Sequence, residues 1–272
     1  MAEGPDGATL LREAVAARGP VIDLAGAALA CAAMDRGGLE LAPYRAHLGV
    51  LARDVAAAAG ALAPAAALAQ ALAVAHGYAG DRESYDDRDN ADLARVIDRR
   101  RGLPVALAIL WMHAARAQGW RCHGLDAPGH FVIRLEAGDH AQVLDPFDGG
   151  RALDDDALAA LLRRVAGAEG ARAARTLEPV DDRSVLLRLQ NNIKLRLARA
   201  GEHARALAVV ERMLLIAPRA IELWREAGRL HEATGALRAA IAAFGTAMAL
   251  AGDGDARQRI AAELASVQGR LN

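Results

Sequence analysis

Gly102-Leu103-Pro104-Val105-Ala106-Leu107-Ala108-Ile109-Leu110-Trp111-Met112 is the stretch on which the fold turns. From Val105 to Met112 it is apolar on every side, which argues a buried helix rather than an amphipathic surface one. Pro104 suits the first helical position, where the N–H it lacks would have had no helical partner. Beyond Gly119 the periodicity changes. Residues 120–125, 131–135 and 141–144 read as three short strands, divided by Pro128-Gly129 and Gly138-Asp139. Asp145-Pro146-Phe147-Asp148-Gly149-Gly150 closes the region in a tight turn. A buried helix followed by short strands gives an α+β core.

Upstream, residues 1–76 read as alanine-rich helices broken at Gly19-Pro20, Gly37-Gly38, Pro43 and 60–64. Residues 77–90 carry Gly80, Asp81, Asp86, Asp87, Asp89 and Asn90 and read as an exposed loop, with helix returning over 91–98. Downstream, a helix near 154–165 and a polar, alanine-rich connection lead to Pro179. From about Ser184 the chain repeats itself. Gly201-Glu202-His203-Ala204-Arg205-Ala206-Leu207 and Gly235-Ala236-Leu237-Arg238-Ala239-Ala240-Ile241 are offset by 235 − 201 = 34 residues, the period of tetratricopeptide hairpins. Trp224, Gly228, Ala240 and Phe244 fall at that family's packing positions, whereas its leucine and tyrosine positions hold Ala227 and His231. The expected division is an N-terminal helical region over 1–76, a core over 77–183, and all-α repeats with a capping helix over 184–272.

Composition narrows the function classes. The 272 residues suit one or two domains, and 33 basic against 34 acidic residues leave a net charge of −1, which argues against a global nucleic-acid-binding field. Only 3% of residues are aromatic although 53% are hydrophobic, so alanine accounts for much of the apolar content. Two cysteines, Cys31 and Cys122, allow neither a disulfide framework nor a four-thiolate metal site. The start Met1–Asp6 lacks the basic and apolar character of a signal peptide. Residues 55–75 are apolar but mostly alanine, interrupted by Gly60 and Pro64, and read as packed helices rather than a membrane span. A cytoplasmic protein with no membrane partner and no cofactor is expected.

The chemistry-bearing pieces are the helix opening at Gly102-Leu103-Pro104, a strand opening at Gly129-His130-Phe131-Val132, and the next strand closing at Leu144-Asp145-Pro146. In this order they resemble the transglutaminase-like, papain-related core, in which a helix-borne cysteine, a strand-borne histidine and an aspartate on the next strand form a triad. A helix start lowers the thiol pKa, the histidine deprotonates it, and the aspartate orients the histidine. With Asn90, Leu93, Arg99 to Arg101 and Asp145 to Gly150, the set is similar to bacterial SirB-type proteins, which join this core to tetratricopeptide repeats. The resemblance puts Pro104 where the nucleophile belongs, so thiol acyl transfer by the usual residue is excluded.

Two classes of function stay open. One is a non-catalytic module that binds a protein or peptide segment through the old cleft and the repeats, with Asn90, Arg100, Arg101, Pro104, Gly129, Phe131 and Trp224 as candidate binding residues. The other is a hydrolase or acyl transferase that uses His130 and Asp145 with Cys122 or an activated water. Cys122 shares a strand neighbouring His130, but a lone cysteine is commonly a small buried hydrophobe. His130 and Asp145 would equally serve as a structural hydrogen bond between strands. Arg99 to Arg101, next to a helix start, could hold an anion or pair with Asp86, Asp87, Asp89 or Asp92. His123, His130, His140 and Asp145 match no tight metal-ligand spacing, so no metal is expected.

Overall fold

The computed structural model describes residues 6–17, 19–138, 140–252 and 254–271. They form two compact units, 1–189 and 190–272.

The first unit opens with α1 (Gly7–Val15), α2 (Leu24–Asp35), α3 (Ala42–Ala59) and α4 (Pro64–Leu68), the last running into a π-helical turn over Ala69–Ala75. Pro43 does not break the chain; it sits in the first turn of α3, where proline costs nothing. A two-residue strand β1 (Ala79–Gly80) lies parallel to β2 (Arg101–Gly102), with α5 (Leu93–Arg99) between them. The expected exposed loop over 77–90 is exposed from 82 to 88, but it is anchored at both ends. Tyr78, Asp81 and Asn90 are buried, because Asp81 accepts from the backbone N–H groups of Glu83 and Ser84, the Ser84 hydroxyl and Arg99. Helix α5 begins at Leu93 because the Asp92 carboxylate caps it through the Arg95 N–H.

Helix α6 (Pro104–Arg116) is the centre of this unit, with every residue from Pro104 to Met112 buried. It packs on α2, α3 and one face of a five-stranded antiparallel sheet. The strands are β3 (Arg121–Ala127), β4 (His130–Ala137), β5 (His140–Asp145), β6 (Arg151–Leu153) and β7 (Pro179–Val180), in the order β6-β5-β4-β3-β7. Helix α7 (Asp155–Ala173) covers the other face, where Leu158, Leu161 and Leu162 join Leu125, Ala127, Val132 and Leu153 in one apolar cluster. The connection expected after residue 165 is thus mostly helix, interrupted by non-helical backbone at Ala166 and Gly167, and it returns to the sheet as β7.

Helix α8 (Asp182–Arg199) begins in the first unit. Buried Asp182 accepts from the Ile22 N–H and from both terminal nitrogens of Arg116, fastening the start of α8 to the segment before α2 and the end of α6.

In the second unit α9 (His203–Ile216), α10 (Ile221–Ala233), α11 (Leu237–Leu250) and α12 (Asp255–Leu271) pack each on the next. Gly201 and Gly235, 34 residues apart, both take left-handed backbone, with φ of 73° and 79°, at the turn that precedes the second helix of each hairpin. A Cβ on Gly228 would come within 2.7 Å of the Phe244 ring, so glycine sets the close approach of α10 to α11. Among the described residues, no helix is long and apolar enough to cross a membrane.

Candidate functional site

Strand alternation places Leu125, Ala127, His130, Val132, Val143 and Asp145 on the α7 face of the sheet and Cys122, Phe131, Ile133 and Leu135 on the other. His130 opens β4 just after the two-residue Pro128-Gly129 turn, in which Gly129 has φ 73°. Asp145 ends β5 diagonally across from it. The two side chains meet: His130 Nε2 lies 3.0 Å from Asp145 Oδ1, with both side chains no more than 7% exposed. The same Oδ1 accepts from the Phe147 N–H at 3.0 Å, holding the Pro146–Gly150 turn. The Phe147 ring stands edge-on to the imidazole at 5.8 Å. The other imidazole nitrogen has no hydrogen-bond partner among the described residues.

This pair lies at the wall of a cleft of about 540 Å³ between the sheet, α7 and the loop after β1. Its apolar side is Ala157, Ala160, Leu161 and Val165 of α7 with Leu153, and its aromatic rim is Tyr85 and Phe147. Three arginines border it. Arg82 lies over the Phe147 ring and bonds Asp148 at 2.9 Å, and Arg151 approaches the same Asp148 at 3.9 Å. Arg164, on α7, has no acidic partner among the described residues.

The other expected site residues lie elsewhere. Cys122 pairs with Leu135 while His130 pairs with Ala127, five positions and about 16 Å along the strand, and on the opposite face. Burial pushes its thiol up to about 12. The expectation that Cys122 could serve His130 as nucleophile is therefore corrected: reach and thiolate character are both lacking. Phe131 faces away from the cleft, its ring against Gly124 and Val185. Pro104 is sealed at the start of α6 and does not line the cleft.

The anion pocket considered for Arg100 and Arg101 also gives way. Arg100 stacks on the Tyr78 ring and donates to the Tyr78 hydroxyl and to His47, whereas Arg101 donates to the carbonyls of Gly77 and Arg100. Arg99 takes Asp81 and Asp87. Asn90 holds its own loop, donating to the Ser84 carbonyl. Trp224, in the second unit, donates from its indole N–H to the Pro218 carbonyl and packs against the apolar cluster that contains Phe244. Gly129 alone joins His130 and Asp145 in the cleft. Among the described residues, no three His, Cys, Asp or Glu side chains are placed to hold a metal ion.

Arg82, Tyr85, Arg151 and Arg164 escaped sequence reasoning. They come from three separate segments and carry no common spacing.

Residues 42–191 match the transglutaminase-like superfamily, and residues 193–265 match the tetratricopeptide repeat. A UPF0162 protein of Xylella fastidiosa (strain 9a5c) is 35% identical over 155 residues, which is 56% of this chain and 55% of the relative. A UPF0162 protein of Vibrio cholerae is 29% identical over 143 residues, covering 52% and 53%. The chain thus spans about half the length of the curated relatives it matches. Menin, whose crystal structure reveals its binding site for Mixed Lineage Leukemia (MLL) protein, matches 96% of this chain and 74% of its own at 12% identity. The TM-score is 0.39, too loose to carry an argument. The α6 helix with its antiparallel sheet, and the helical hairpins that follow in the sequence, agree with both matches: the chain belongs to the transglutaminase-like superfamily, its core followed by tetratricopeptide repeats.

Proposed function

We propose that the protein is a non-catalytic interaction module that takes a peptide or protein segment into the His130 cleft, with the repeats offering a second helical surface. The observation that carries this reading is the composition of the cleft. Among its described lining residues there is no cysteine, serine, threonine or lysine, and the resemblance puts the buried Pro104 where the family's nucleophile belongs. Tyr85 and Val165, two of the larger exposed hydrophobic side chains, sit at its rim, as expected of a surface that buries a partner's apolar groups. The three-part division at 76/77 and 183/184, a cytoplasmic setting, and the absence of nucleic-acid and membrane partners belong to the same proposal.

The test is selection of peptides from a random library on the full chain, followed by titration against Ala160→Trp, which fills the cleft from an exposed position of α7. Selected peptides should bind the variant at least tenfold more weakly. Equal binding would refute the cleft as the interaction site.

A second reading rests on the 3.0 Å His130–Asp145 pair and the unpartnered second imidazole nitrogen, which could take a proton from water attacking an ester or amide. It requires turnover of some acyl substrate that His130→Ala abolishes. The binding reading requires that His130→Ala change only affinity or stability.

A further inference from the structure

The charges around the cleft are unequal. Three guanidinium groups, on Arg82, Arg151 and Arg164, face two carboxylates, and one of those, Asp145, is already held by His130 and the Phe147 N–H. That leaves Asp148 as the accessible acid for three cations. Arg82 takes it at 2.9 Å, Arg151 reaches it only at 3.9 Å, and Arg164 takes nothing. Arg164 and Val165 of α7 both line the cleft, so a cation and an apolar side chain border the same space. Leu161 and Ala160, one turn earlier, continue the apolar wall with a small residue that leaves room for a guest side chain. The arginine fork suits a planar carboxylate in bidentate geometry.

Resting on the interaction reading above, we propose that the cleft recognises a peptide carboxylate next to an apolar side chain. Arg164 and Arg151 hold the carboxylate, and the Leu161–Val165 wall with the Tyr85 and Phe147 rings holds the apolar group. The carboxylate comes either from an aspartate or glutamate side chain or from a peptide C-terminus.

Three N-acetylated tripeptides separate these sources when titrated into the isotopically labelled full chain and followed by NMR. They are leucine–glutamate–leucine amide, trileucine with a free C-terminus, and leucine–glutamine–leucine amide as the neutral control. At least one acidic peptide should shift resonances of the cleft and bind about tenfold or more tightly than the control, as expected for one charge-assisted partner. Arg164→Gln should remove most of that preference while leaving the control unchanged. Preference for the glutamate peptide identifies a side-chain carboxylate, and preference for the free acid a C-terminal one. If all three bind the cleft alike, the carboxylate proposal falls and peptide binding stands. If none shifts the cleft while library peptides still lose affinity to Ala160→Trp, the tripeptide recognition is refuted without the interaction reading. Failure of both experiments overturns the two together.

Discussion

Gly149 and Gly150 offer a controlled comparison, because the two adjacent residues both have positive φ and differ in what surrounds them. Their φ angles are 65° and 81°, both in the region that an L-residue enters at a cost of roughly 1–2 kcal/mol. A Cβ on Gly149 would meet only Ala73 Cβ at 3.6 Å, an ordinary contact, whereas one on Gly150 would lie 2.0 Å from Trp111 Cη2 and 2.4 Å from Cζ3. Trp111 is fully buried in α6, so its ring cannot swing away cheaply. Overpacking of this kind adds about 1–3 kcal/mol. Gly149→Ala should therefore cost about 1–2 kcal/mol and Gly150→Ala about 2–5 kcal/mol. Urea unfolding in a Trp224→Phe background restricts the fluorescence to Trp111 and Trp120 of the first unit. If Gly150→Ala proves no more destabilising than Gly149→Ala at unchanged m-value, the turn does not pack on Trp111 as described.

Asp182→Ala removes the acceptor of three hydrogen bonds and leaves a largely buried Arg116 with the Cys122 carbonyl but no carboxylate. Loss of one partner from such a pair costs about 3–5 kcal/mol, read as a lower urea midpoint; a change below 1 kcal/mol would contradict the fastening role. Cys122, its thiol pushed up by burial to about 12, should resist iodoacetamide at pH 8 in the folded chain and react on unfolding, and fast native alkylation would count against its burial. Burial first, and the Arg100 charge second, lower His47 to about 4 from 6.5. Between these values the unfolded chain binds the proton that the folded chain does not, so stability is full above about pH 6.5 and declines as pH falls toward 4. His47→Gln should flatten that slope in urea midpoints measured from pH 4 to 7, and an unchanged slope would assign it to other groups such as His113, which burial also lowers.

Helix α6 was legible in the sequence because a run of eight apolar residues after Pro104 has few other uses, and β3 to β5 were legible because glycine and proline punctuate them. Strands β6 and β7 were not. Three residues and two residues carry no alternation, and both exist only because the sheet edge recruits them. His130 and Asp145 could be singled out because their order on successive strands after a buried helix resembles the transglutaminase-like core. At Arg99 to Arg101 the alternative of pairing with a nearby aspartate holds for Arg99, which takes Asp87, and no common anion pocket forms because α5 ends there with Arg100 in a left-handed conformation, which sends the three side chains to different partners. The arginines that do border the cleft stand at 82, 151 and 164, assembled by tertiary structure alone.

One oxygen atom, Asp145 Oδ1, accepts both from the Phe147 backbone and from the His130 ring. The aim of the imidazole and the shape of the turn are therefore a single mechanical variable. Whatever fixes the turn, including the fit of Gly150 against Trp111, also fixes the imidazole. The requirement to keep this loop in shape is thus enough by itself to hold the histidine–aspartate pair in its geometry.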